Sequence, residues 1–186
     1  MLGAEKAWAL LQNAERLYSR EEVSAAIERV AREITEKLGG RYPLVLSVMG
    51  GAVVFSGQLL PLLPFPLDFD YVHASRYGKA TQGSELVWKV LPGESVKGRV
   101  VLVLDDILDE GRTLAAIRDK LMEMGAAEVY CAVLTEKETG RDKPLRADFV
   151  GLRLPNRFVF GCGMDAHGAW RNLPEIYAMK EESRDQ

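Results

Sequence analysis

Soft metal ligands are scarce in this chain: its 186 residues include two cysteines and two histidines. His73 and His167 are far apart, and no Cys/His spacing suits a zinc site. Cys131 and Cys162 both fall in apolar, strand-like segments, which predicts reduced buried thiols rather than a disulfide or a metal pair. A basic excess is also missing. Lys and Arg number 24 against 27 Asp and Glu, for a formal charge of −3, with no basic stripe. That pattern argues against a nucleic-acid partner. No apolar run reaches membrane-spanning length and the first residues show no signal-peptide pattern, so the expectation is a cytoplasmic protein without a membrane partner. Internal repeats and low-complexity stretches are lacking too.

What is there fits an ordinary globular domain, with 47% hydrophobic and 27% charged residues. The length suits one domain able to bury a full core. Residues 1–40 read as N-terminal helices, 41–154 as a core and 155–186 as a hood segment. In the first part Ser19 and Glu22 form a possible capping box. Val23, Ile27, Val30, Ile34 and Leu38 follow on one helical face, and Gly39-Gly40 ends the helix. Residues 44–49 read as a strand closed by Gly50-Gly51, and 52–63 as a helix leading into a connection through Pro61, Pro64 and Pro66. Strands are predicted at 67–74 and 86–91, flanking a polar, glycine-bearing loop at 76–84. Further strands are predicted at 129–135, 149–154, 158–163 and 175–179. Strands alternating with helices predict an α/β fold with a mostly parallel sheet flanked by helices, and a small hood over the strand ends.

The most informative stretch is VVLVLDDILDEGRT, residues 100–113. An unbroken apolar run, Val100 to Leu104, suits a strand buried on both faces. It ends in Asp105 and Asp106, read as an acidic turn. Two apolar residues and Asp109 follow, then Glu110-Gly111-Arg112-Thr113. Beyond these, Leu114, Ile117, Leu121 and Met124 have helical spacing. Strand, acidic turn, small loop and helix is where an open α/β sheet binds ligand. The loop's N–H groups and the helix N-terminus can hold a phosphate, and paired carboxylates can accept hydrogen bonds from two sugar hydroxyls.

These residues resemble the phosphoribosyl-pyrophosphate motif of the type I phosphoribosyltransferases. The C-terminal half resembles the 6-oxopurine (hypoxanthine-guanine) subfamily, with Lys137, the FVG at Phe149, the run LPNRFVFGCGMD ending at Asp165, and WRNLP at 170–174. The resemblance implies transfer of a phosphoribosyl group to hypoxanthine or guanine in purine salvage, with Mg²⁺ as cofactor. It further implies small-molecule substrates and a homodimer or homotetramer. Carried over residue by residue, it gives Asp105 and Asp106 the ribose hydroxyls and Asp109 the role of general base. Glu110, Gly111, Arg112 and Thr113 take the 5′-phosphate. Gly50, Gly51, Arg171, Arg76 and Tyr77 take the pyrophosphate. Lys137, Phe158, Val159 and Asp165 take the purine, and Asp105, Asp106 and Asp165 the metal. The Met49-Gly50-Gly51 turn corresponds to a loop that often holds a non-proline cis peptide. The loop at 76–84 corresponds to a mobile lid.

Two positions depart from the family's pattern. Many relatives carry Lys or Arg where this chain has Gly50, so a side-chain charge is lost there. Glu110 replaces a usual Thr or Ser, and an acid facing a phosphate dianion repels it. A preference for xanthine, and a nucleotide-sensing regulator on the same fold, stay open as alternatives.

Overall fold

The computed structural model describes residues 2–76, 86–93 and 96–180. In chain order it forms α1 (Ala4–Gln12), β1 (Ala14–Tyr18), α2 (Arg20–Leu38), β2 (Leu44–Val48) and α3 (Val53–Leu59). A 3₁₀ turn (Leu60–Leu62), β3 (Asp68–Arg76), β4 (Leu86–Val90), β5 (Val100–Leu108) and α4 (Arg112–Glu123) come next. The chain closes with β6 (Glu128–Glu138), β7 (Phe149–Pro155), β8 (Val159–Phe160) and β9 (Ile176–Met179).

Six strands make the main sheet, in the order β4-β3-β2-β5-β6-β7. All neighbours run parallel except β4, which pairs antiparallel with β3 at the edge. The apolar runs that read as buried strands are buried on both faces. Leu102, Leu104 and Val45 pack with α2, α3 and the hood, while Val101, Val103 and Leu46 pack with α4. The helix α2 starts at the capping box, with the Ser19 side chain accepting from Glu22 N–H and Glu22 accepting from Ser19 N–H at 2.8 Å. Its predicted face, Val23, Ile27, Val30, Ile34 and Leu38, is fully buried, each such side chain contributing about 1.5–3 kcal/mol of burial.

The chain moves from β2 outward to β3, then returns to lay β5 on the other side of β2. The C-terminal ends of β2 and β5 therefore form the switch point, where an open α/β sheet has its crevice. Register sets what lies there: Ser47 pairs with Leu104, so the Met49-Gly50-Gly51 turn stands beside Asp105 and Asp106.

Several boundaries differ from those predicted. The N-terminal region is not helical throughout, because residues 14–18 form β1. This strand pairs antiparallel with β9, which also pairs with β8, so the hood is a three-stranded sheet built from both ends of the chain. The helix predicted at 52–63 is α-helical only to Leu59 and tightens to 3₁₀ across Pro61, whose missing N–H cannot continue the α ladder. The strand predicted at 158–163 stops at Phe160 and becomes a turn bridged between Gly161 and Met164. Cys162 sits in that turn with φ 50°, not in a strand. Asp105 and Asp106 are not in a turn either: β5 continues through them to Leu108, and β6 runs on to include Lys137.

Candidate active site

Asp105 and Asp106 are buried at the crevice end of β5. Ile107 packs with the cluster that holds Leu104 and Leu108 with the cluster that holds Val103, while the register with β6 keeps one offset from Val100 to Leu108. The Asp105 carboxylate accepts from the Asp106 N–H at 2.9 Å, and Thr135 Oγ1 donates to the Asp106 carbonyl at 2.8 Å. Burial, followed by the neighbouring Asp106 charge, pushes the Asp105 carboxyl well above its ordinary range. Burial also raises Asp106, opposed by the hydrogen bond from Asp105 and by the positive charge of Arg171.

Close packing encloses this pair. A Cβ at residue 51 would overlap the Asp106 carboxylate, so the β2 turn approaches only because Gly51 has none. Gly163, at φ 103°, in turn sits on the carbonyl of Gly51, and a Cβ there would overlap it. The G-x-G turn of the hood thus lies directly on the β2 turn and Asp106. The Met49–Gly50 peptide is cis. Around Gly50 no atom lies within 4 Å of the place a Cβ would occupy, so that position is open.

Arg171 is locked to the same turn. It donates to the Gly163 carbonyl at 2.6 Å, its own carbonyl accepts from Gly163 N–H at 2.9 Å, and it pairs with Asp165 at 2.5 Å. The other Asp165 oxygen accepts from Gly168 N–H at 2.7 Å. Asp165 is committed to these two donors, and among the described residues no three His, Cys, Asp or Glu side chains gather as a metal cluster. The expected grouping of Asp165 with Asp105 and Asp106 is therefore not assembled.

Asp109 follows the end of β5, and Lys137 stands near the end of β6. Their side chains pair at 2.7 Å, with the lysine 12% and the aspartate 47% exposed. This places a donor and an acceptor side by side at the rim. Gly111, at φ 78°, caps the N-terminus of α4. Arg112 lies 3.5 Å from Glu110, both well exposed. Residues 105–114, including Thr113, line a cavity of about 390 Å³. Phe158 is 49% exposed and its ring stacks on His167 at 5.8 Å. Val159 is buried in β8, paired with Ala178. Arg76 ends β3, while its side chain, Tyr77 and the rest of the expected lid lie outside the described residues.

The two cysteines are buried and unpaired, and burial lifts each thiol to about 12, which makes both poor nucleophiles. Thr135 and Lys143 were not foreseen in the site. Thr135 looks like any strand threonine, and a lysine in the charged stretch at 136–143 reads as solvated. Only the register of β6 and the return of the following loop bring them in.

A parallel sheet with an acidic pair at its switch point, a glycine-capped helix N-terminus beside it and Arg171 held against the hood turn is an arrangement suited to a phosphate-bearing ligand. Comparison with known proteins gives the class its name. The phosphoribosyl transferase domain family matches residues 13–167, and the chain belongs to it. It has the type I phosphoribosyltransferase fold. The hypoxanthine-guanine phosphoribosyltransferase of Streptococcus pneumoniae (strain ATCC BAA-255 / R6) is 33% identical over 167 residues, 89% of this chain and 93% of the relative. The bifunctional protein TilS/HprT of Listeria monocytogenes is 39% identical over 168 residues, 89% of this chain, and the chain spans 26% of that relative's length. A crystal structure of a hypoxanthine phosphoribosyltransferase from Staphylococcus aureus superposes with a TM-score of 0.85 at 25% identity, covering 92% of this chain and 95% of the other.

Proposed function

We propose that the protein transfers the 5-phosphoribosyl group of phosphoribosyl pyrophosphate to N9 of hypoxanthine or guanine, releasing pyrophosphate and forming IMP or GMP. The observation that carries this reading is the Lys137–Asp109 pair beside the Asp105–Asp106 strand end. A 6-oxopurine with a proton on N7 offers an acceptor at O6 and a donor at N7, complementary to the lysine donor and the aspartate acceptor. Adenine offers a donor at position 6, which would leave two donors facing each other. The curated relatives that this chain matches over most of their length carry hypoxanthine-guanine names, which favours the enzyme over a nucleotide-sensing regulator.

In the reaction, the bond from C1′ to the pyrophosphate oxygen breaks with oxocarbenium character and the bond from C1′ to N9 forms. Asp109 takes the N7 proton as N9 attacks, and Lys137 holds O6. Phe158 stacks on the base and the Val159 backbone reads its edge, with Asp165 nearby. Asp105 and Asp106 hold the ribose hydroxyls. The α4 N-terminus, with Glu110, Gly111, Arg112 and Thr113, holds the 5′-phosphate. Gly50, Gly51 and Arg171, with Arg76 and Tyr77, take the pyrophosphate.

Mg²⁺ fits the acidic pair. Two buried carboxylates repelling each other gain from a divalent cation, and a set of two protein oxygens suits an ion that keeps waters and substrate oxygens. Asp105 and Asp106 would hold it, and when bound it neutralises charge on the leaving pyrophosphate. One domain over residues 1–186, a homodimer or homotetramer and a cytoplasmic setting complete the proposal. Among the described residues no helix is long and apolar enough to cross a membrane.

Product binding tests this reading. GMP and IMP should raise the melting temperature in a concentration-dependent way, since a ligand of the native state stabilises it, and AMP should not. Equal stabilisation by AMP would contradict the 6-oxopurine assignment.

A further inference from the structure

The loop between β6 and β7 carries a lysine that the catalytic reading leaves unused. Lys143 is 10% exposed, and its ammonium has three oxygen acceptors. These are the Lys137 carbonyl at 2.6 Å, the Leu108 carbonyl at 3.1 Å and a Glu136 carboxylate oxygen at 3.3 Å. An ammonium has three N–H donors, so the set matches it in number. Glu136 is held from its other oxygen by Arg153 at 3.0 Å.

The two carbonyls are not arbitrary. Leu108 directly precedes Asp109, and Lys137 is Asp109's ion-pair partner. The last registered pair between β5 and β6 is Leu108 with Glu136, so Lys143 takes one carbonyl from each strand where their ladder ends. Its stem also lies against Gly111 of the phosphate loop, at 3.4 Å from where a Cβ would be. Burying an ammonium is costly unless fully paired, and a surface loop could carry the same charge at no such cost.

We infer that Lys143 is a positioning residue for purine recognition, splicing the ends of β5 and β6 so that Lys137 and Asp109 meet the base at a fixed spacing. The inference rests on the roles proposed for those two residues. Lys143→Met keeps the stem against Gly111 and removes the ammonium. Its expected effect is a hypoxanthine KM raised about tenfold or more, with the KM for phosphoribosyl pyrophosphate within about twofold of the parent. In a Lys137→Met background the same change should add nothing to the hypoxanthine KM, because its action passes through Lys137.

Equal rises in both KM values, or full additivity with Lys137→Met, would overturn the inference and leave Lys143 a stability residue. If Lys143→Met does not fold, Lys143→Arg replaces it, since a planar fork cannot aim three donors at three acceptors from one point. A parent-like hypoxanthine KM in that variant would likewise overturn it. A second readout does not depend on turnover. The ¹⁵N signal of the Lys137 ammonium, assigned with Lys137→Arg, should lose its ion-paired, slowly exchanging character in Lys143→Met, and an unchanged signal would count against the splice. A parent protein inactive on every base would instead defeat the proposed function, leaving this spectroscopic test standing.

Discussion

Lys137 Nζ stands 2.7 Å from Asp109 Oδ2, so a lysine near the end of β6 closes on the first residue past the end of β5. Two residues proposed to have separate roles toward one base are thus already in contact without it. Asp109→Asn keeps the shape of this contact but removes the proton acceptor. Turnover should fall by about 10²–10⁴ while GMP affinity changes little. Steady-state kcat and a GMP titration decide the matter, and equal losses in both would end the general-base role.

The acidic pair makes stability depend on pH in a definite direction. The Asp105 carboxyl is raised in the folded state, so across the range between its ordinary value and the raised one the native state holds a proton that the unfolded state has lost. Stability therefore falls as pH rises through that window, and the cost is fully present above it. Asp105→Asn keeps an acceptor for Asp106 N–H and removes the charge. The ligand-free variant should melt a few degrees above the parent near pH 8, with the gap shrinking toward acid. A variant less stable than the parent near pH 8 would contradict this account of the pair.

Adjacent glycines at the β2 turn should respond oppositely. Gly51→Ala puts a methyl into the Asp106 carboxylate, while the space beside Gly50 is open. Gly51→Ala is expected to lose about 1–3 kcal/mol of stability and most of its affinity for phosphoribosyl pyrophosphate. Gly50→Ala should melt like the parent. Thermal melts of the two proteins side by side check this, and a tolerant Gly51 would mean that the turn does not sit on the carboxylate.

Glu110 is the acid in the loop proposed to hold the 5′-phosphate, 3.5 Å from Arg112 and 62% exposed at its side chain. On the proposed reading its carboxylate would compete with the incoming phosphate for that arginine. Replacing it with threonine frees Arg112 and removes a like charge, so the IMP dissociation constant should fall several-fold at low salt, with the difference fading as salt rises. Weaker IMP binding in Glu110→Thr would show that the side chain helps to order the loop.

Much of the fold could be read because its parts are locally encoded. The apolar run at Val100 to Leu104 can be buried on both faces only in a central strand. Ser19 and Glu22 start α2 through bonds three residues apart. Other features depend on distant pairing. The residues of β1 carry no strong strand pattern and become a strand because β9, some 160 residues later, offers an edge (Ala14 against Met179). Asp105 and Asp106 read as a turn because two charged residues interrupt an apolar run there, yet the β6 ladder carries β5 past them. For the site, the acids and Lys137 were legible as types at a spacing. Their 2.7 Å meeting and the burial of Lys143 were not, since the first comes from the register of β6 on β5 and the second from a loop folding back over the strand ends.

The most direct test is turnover itself. Purified protein is given phosphoribosyl pyrophosphate and Mg²⁺ with hypoxanthine, guanine, xanthine or adenine in turn, and nucleotide formation is followed. The expected result is product from hypoxanthine or guanine and none from adenine, with the ratio among the 6-oxopurines ranking their preference. Product from adenine at a comparable rate, or none from any base, would contradict the reading of Lys137 and Asp109 as the pair that recognises a 6-oxopurine.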